Sequence, residues 1–193
     1  MPAFTLNRMD ILTLLLVALL ALAGLFQTIT EPLLQFDRNA IAQGEWWRLI
    51  SSQFIHYGVY HLLMNAAALV IINAALWRDA AVKHYLATLI TCLAVTGIGL
   101  WFFDPELFFY AGLSGTLHGL IIAGLLLTLP QTPTINALAL LVIWGKVIYE
   151  HTPWFDPQHA LLPVPVAVDA HLWGAVAGTF AGLILLWIQR QVR

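Results

Sequence analysis

The sequence predicts an all-α membrane protein, a bundle of six transmembrane helices, and three observations carry that prediction. Of its 193 residues, 61% are hydrophobic and only 9% charged, with a mean hydropathy of +0.84, well outside the range of soluble globular domains. The apolar residues are gathered in runs close to the ~20 residues that a helix needs to cross a bilayer. Short polar or proline-bearing links separate the runs, with no soluble module, low-complexity tail or repeat between them, so the chain reads as one membrane domain, 1–193. The formal net charge of −2 decides little, because orientation follows where Lys and Arg fall and not their total.

The first run covers about 10–29. An Ala-Leu-Ala within it follows an Arg-bearing start, as in a signal peptide, but apolar character continues past that point. A longer, wetter connection carries Glu31, Asp37, Arg38, Glu45 and Arg48. The second run is about 58–77 and the third about 82–103. DPELFFYAG leads into the fourth, about 113–129, which PQTP ends. The fifth, about 134–150, is short for a span, and the sixth is about 168–188. Five of the eight Lys and Arg residues (Arg8, Arg78, Lys83, Arg190 and Arg193) fall on one side, which the positive-inside tendency makes cytoplasmic, with both termini there. Asp104 and Glu106 then lie outside, while Arg38 and Arg48 depart from the rule. The single cysteine, Cys92, excludes an intramolecular disulfide, and no CxxC spacing is present.

Polar residues inside spans are expensive in lipid and are functional candidates for that reason. His61 and Asn65 are four apart and share a face of the second span, and Ser114 and His118 have the same spacing in the fourth. His171 opens the sixth span, followed on its face by Gly174 and Gly178. Gly115xxxGly119 and Gly174xxxGly178 are small-residue stripes that let backbones approach closely, and such an approach would bring Ser114 near His171. Each feature alone reads as helix packing or an interhelical hydrogen bond; their joint arrangement does not.

A serine hydroxyl needs a hydrogen-bonded base within about 2.6–3.2 Å to act as a nucleophile at neutral pH. His171 can supply that base, and burial, which disfavours the imidazolium, would keep the free base available. Asp169, two residues away, points to another side of the helix, so the expected arrangement is a Ser-His dyad without an orienting acid. His61, the Asn65 amide and the Ser114 N–H are the candidate oxyanion donors. Lys146 and Asp169, charged near membrane depth, are expected to snorkel to an interface.

This set resembles the rhomboid family of intramembrane serine proteases. Trp47-Arg48 and His56 precede His61 and Asn65, which match the family's HxxxN. Gly112-Leu113-Ser114-Gly115 matches its GxSG, and His171, Gly174 and Gly178 match its HxxGxxxG. The resemblance covers all six spans and implies a Ser114 nucleophile, a His171 base, a structural first loop around Trp47, Arg48 and His56, and a substrate-binding region including Gly112. Family members commonly carry Tyr four residues after the serine; here it is His118. SGTLHG looks like the rhombosortase branch, which implies substrates with a GlyGly-type C-terminal sorting tail and a bacterial inner-membrane enzyme opening to the periplasmic side. Three roles are open to His118: stacking on His171, hydrogen bonding to it, or binding an acyl acceptor.

The partners expected are a membrane-anchored protein substrate and the lipid bilayer, with no nucleic acid, cofactor or metal. Two other readings are a catalytically inactive rhomboid acting as a binding module, and a haem or metal held by His56, His61, His118 and His171.

Overall fold

The computed structural model of the protein describes residues 5–158 and 160–191. Helix α1 (Arg8–Leu25) starts on a reciprocal cap, in which the Asp10 amide donates to the Asn7 side chain and the Asn7 amide to Asp10, satisfying two of the donors a helix start leaves open. The helix does not run to 29 as its apolar composition suggests. Phe26 leaves helical geometry, and α2 (Gln27–Leu34) begins at once as a separate element.

The wet connection is an ordered layer of short elements. It comprises α2, β1 (Phe36–Asp37), α3 (Arg38–Ala42), α4 (Arg48–Ser51) and a 3-10 turn over Ser52–Phe54. β1 pairs antiparallel with β2 (Phe109–Tyr110), Phe36 opposite Tyr110. This two-residue pairing is an addition to the all-α expectation.

The two arginines that depart from the charge rule are both spent within the protein, Arg38 on carbonyls and Arg48 on two carbonyls and a carboxylate. Arg38 donates to the carbonyls of Leu100, Trp101 and Asp104 at the end of α6 (Val82–Phe103), and to that of Leu107. A guanidinium placed there satisfies carbonyls that a helix end leaves open and complements the helix dipole. Buried Arg48 donates to Glu45, Gln35 and Pro32.

Helix α5 (Val59–Ile72) continues into a π turn over Asn73–Trp77. Buried Asn73 there donates to Thr13 of α1 and Tyr85 of α6 at 2.9 Å each, tying three helices together. The last helices are α7 (Ser114–Leu127), α8 (Pro133–Glu150) and α9 (Val168–Gln191). Among the described residues, four segments are long and apolar enough to cross a membrane: α1, α5 with its π turn, α6 and α9. The other two expected spans are helices as well. Of these, α7 is apolar but has only 14 residues, while α8 is interrupted by Asn136, Lys146 and Glu150.

Helix α7 lies at the centre, with ten of its 14 residues buried, so protein and not lipid surrounds it. Its tightest neighbour is α9. A Cβ on Gly174 would strike the carbonyl of Gly115, one on Gly178 that of Gly119, and one on Gly115 would come within 2.6 Å of the Ala170 carbonyl. The backbones of α7 and α9 touch where both helices lack side chains, the small-residue route to close approach.

Candidate active site

This contact places the first residue of α7 against the first turn of α9. Ser114 Oγ is 2.9 Å from His171 Nε2, and the imidazole is buried. The other ring nitrogen, Nδ1, is 2.9 Å from Glu150 Oε2 at the end of α8. A carboxylate accepts only, so His171 carries its proton on Nδ1 and presents the Nε2 lone pair to the serine hydroxyl. The expectation that no acid orients this histidine is therefore corrected. Asp169 is indeed turned elsewhere, 3.0 Å from His151, and Glu150, from a different helix, takes the place.

His118 stacks on His171, with ring centroids 4.2 Å apart and planes 26° from parallel. Its Nδ1 is 2.7 Å from the Ser114 carbonyl, which only accepts, so Nδ1 is the donor. Nε2 is then a lone pair, and Lys146 donates to it at 2.9 Å. Lys146 also donates to Glu150 Oε1 at 2.7 Å. Its 3.3 Å approach to His171 Nδ1 sets two donors side by side and adds no bond. Lys146 and Asp169 thus have partners within the bundle and do not merely reach for an interface.

Candidate ligand atoms of His118, Glu150 and His171 lie within 4.8 Å of one another. The Lys146 ammonium stands 2.7–3.3 Å from all three, where a metal cation would be repelled by it. His56 and His61 form a different pair, ring against ring at 5.0 Å, so the four histidines do not converge on one centre. Buried His56 lies outside the apolar spans; burial and the neighbouring His61 push its pKa down to about 3, leaving a neutral ring that backs His61.

Gly112 has φ +134°, a conformation that costs any residue with a Cβ. A methyl group there would come within 2.6 Å of His61 Cε1 and 2.8 Å of its Nε2, so the glycine lets the His61 ring lie against the backbone leading into Ser114. The Gly112 carbonyl accepts from the hydroxyl of buried Tyr110 at 2.5 Å. Asn65 is buried and commits one amide hydrogen to the His61 carbonyl at 3.0 Å. Trp47 is exposed and donates to the Leu33 carbonyl, within the same layer of short elements as Arg48.

Sequence reasoning missed Glu150, Lys146's place and Tyr110. A carboxylate four residues after a lysine within one apolar helix is the signal that points to the first two.

The fold and site define a helical membrane bundle with a serine, two imidazoles and a carboxylate held between its helices. The chain belongs to the rhomboid family, since the Rhomboid domain model matches residues 43–188. Two relatives come from Bacillus subtilis (strain 168). The rhomboid protease GluP is 34% identical over 95 residues, covering 48% of this chain and 18% of GluP. YdcA is 32% identical over 80 residues, 42% of this chain and 40% of YdcA. The matched stretches thus span less than half the length of either relative.

Proposed function

We propose that the protein is an intramembrane serine endopeptidase in which Ser114 is the nucleophile and His171 the general base. The 2.9 Å Ser114–His171 contact, with the histidine lone pair facing the hydroxyl, carries this reading. Ser114 Oγ attacks the scissile carbonyl as His171 Nε2 takes its proton. The tetrahedral intermediate then expels the amine, which receives that proton, and leaves an acyl ester on Ser114. Water, deprotonated by the same imidazole, releases the new C-terminus. The Ser114 N–H at the start of α7, His61 and the free hydrogen of the Asn65 amide are the donors that stabilise the oxyanion.

On this reading the chain crosses the membrane six times with both termini cytoplasmic. A 14-residue helix is about 21 Å long against a hydrocarbon core of roughly 30 Å. With its far end at the cytoplasmic interface, α7 leaves Ser114 some way below the opposite surface, under the outer layer of α2–α4. The substrate is a membrane-anchored protein reaching the site from the periplasmic side of a bacterial inner membrane. SGTLHG favours the rhombosortase branch and a GlyGly-type tail, since a Gly-Gly stretch leaves a helix readily and exposes its carbonyl to attack.

A GlyGly-tailed, single-span reporter is expected to be processed in cells making the wild-type protein and to stay intact with Ser114→Ala. Processing by the serine variant contradicts the mechanism, and an intact reporter in both contradicts the substrate class. The mass of the new C-terminus distinguishes release by water from transfer to an amine.

Gly112→Ala is expected to lower kcat/KM by roughly 10²-fold, the scale of losing one oxyanion donor, because the methyl displaces His61 and the backbone resists positive φ. Kinetics on purified protein check this; an unchanged rate would remove His61 from the oxyanion site.

A further inference from the structure

Glu150, Lys146 and His118 take no part in the steps above, yet with Ser114 and His171 they close a ring of polar contacts. Ser114 Oγ–H donates to His171 Nε2 at 2.9 Å, and His171 Nδ1–H to Glu150 Oε2 at 2.9 Å. Lys146 donates to Glu150 Oε1 at 2.7 Å and to His118 Nε2 at 2.9 Å, and His118 Nδ1–H returns to the Ser114 carbonyl at 2.7 Å. Each contact of the ring pairs a donor with an acceptor, so each member fixes where the next one holds its proton.

We infer that Glu150 is a positioning residue that completes a Ser114-His171-Glu150 triad, and that Lys146 decides which way Glu150 presents its acceptors. This rests on the Ser114–His171 reading. The two carboxylate oxygens are divided: Oε1 faces an ammonium, Oε2 the imidazole N–H. Glu150 and His171 are both buried, at 7% and 4% exposure, so water competes little for the bond between them, while the half-exposed Lys146 reaches Glu150 from the wetter side. When His171 takes the serine proton, the imidazolium forms against a carboxylate already in place, and no group need move to neutralise it. Glu150 keeps its charge throughout; the only proton transferred runs between Ser114, His171 and the leaving group.

Lys146 makes the arrangement testable in an unusual way. In Glu150→Gln the ammonium cannot accept, so the amide oxygen must face Lys146 and the NH₂ must face His171 Nδ1. That forces the imidazole proton onto Nε2, where it points at Ser114 and leaves no lone pair for the hydroxyl. The near-isosteric amide is therefore the damaging substitution. Adding Lys146→Met frees the amide to turn its oxygen toward His171 and restores the working tautomer.

The test measures cleavage of a transmembrane reporter by the purified full chain, alongside Ser114→Ala. Glu150→Gln is expected to lower kcat by roughly 10²- to 10⁴-fold with little change in KM. The double variant, Lys146→Met with Glu150→Gln, is expected to recover at least about tenfold over Glu150→Gln alone. Nitrogen-15 spectra of the wild-type imidazoles, which need no variant, are expected to show His171 protonated at Nδ1. A Glu150→Gln enzyme within about threefold of wild type, a double variant no faster than the single one, or a wild-type His171 protonated at Nε2 overturns the inference. If Ser114→Ala itself still cleaves, the underlying serine mechanism fails instead, so the two failures are distinguishable.

Discussion

His171→Ala is expected to reduce kcat/KM by at least about 10⁴-fold while leaving the protein folded. Removing the base member of a serine–base pair typically leaves only what binding and the oxyanion donors supply. Here no neighbour can step in. His118 is the nearest imidazole, but its Nδ1 is bonded to the Ser114 carbonyl and its Nε2 to Lys146. On the proposed mechanism the second imidazole beside Ser114, with both ring nitrogens already bonded, is not a spare base. The fold survives because Glu150 keeps Lys146 as its partner and the α7–α9 contact is made by glycines one turn further along. Circular dichroism and thermal melting check the fold, and reporter cleavage checks the rate. Activity above about 1% of wild type would mean that another group accepts the serine proton.

Gly174→Ala is expected to abolish the proposed activity by a different route. The added methyl group has nowhere to go, because it would strike the backbone carbonyl of Gly115, next to Ser114. Backbone cannot swing aside as a flexible side chain does, so α9 must move away from α7. Overpacking of this kind costs typically about 1–3 kcal/mol. A displacement of the reacting groups by about 1 Å costs of order 10²-fold in rate. We therefore expect a lower melting temperature and at least about 10²-fold lower kcat/KM. Gly145→Ala on α8 is the control: a Cβ there meets nothing within 4 Å. It is expected to be neutral or stabilising by up to about 1 kcal/mol, as alanine is the better helix former. Equal behaviour of the two variants would show that helix propensity, and not the α7–α9 contact, governs the response.

The sequence carries much of this site, and physical reasons separate what it carries from what it does not. Ser114, His171 and the two glycine stripes are legible because helical periodicity puts each set on one face, and the faces that approach most closely are those without side chains. His61 and Asn65 share a face for the same reason, although one Asn65 hydrogen is occupied within its own helix. The end of α1 is not legible, because the apolar run continues through Phe26 and the break is local backbone geometry that composition does not record. The β1–β2 pair is too short to leave an alternating pattern. Glu150 is harder still. Its role depends on how α8 is turned against α7 and α9, and a charge at the end of a short apolar helix reads equally well as a side chain reaching for the interface. The neighbouring acid Asp169, close to His171 in sequence, goes to His151 instead.

Covalent labelling is the most direct measurement of the central claim that Ser114 is a nucleophile activated by His171. The purified protein would be treated with a fluorophosphonate and its peptides mapped by mass spectrometry. One adduct is expected, on Ser114, formed far more slowly in His171→Ala and absent in Ser114→Ala, which also cleaves no substrate. An adduct on another residue, together with cleavage by the Ser114→Ala protein, would contradict it.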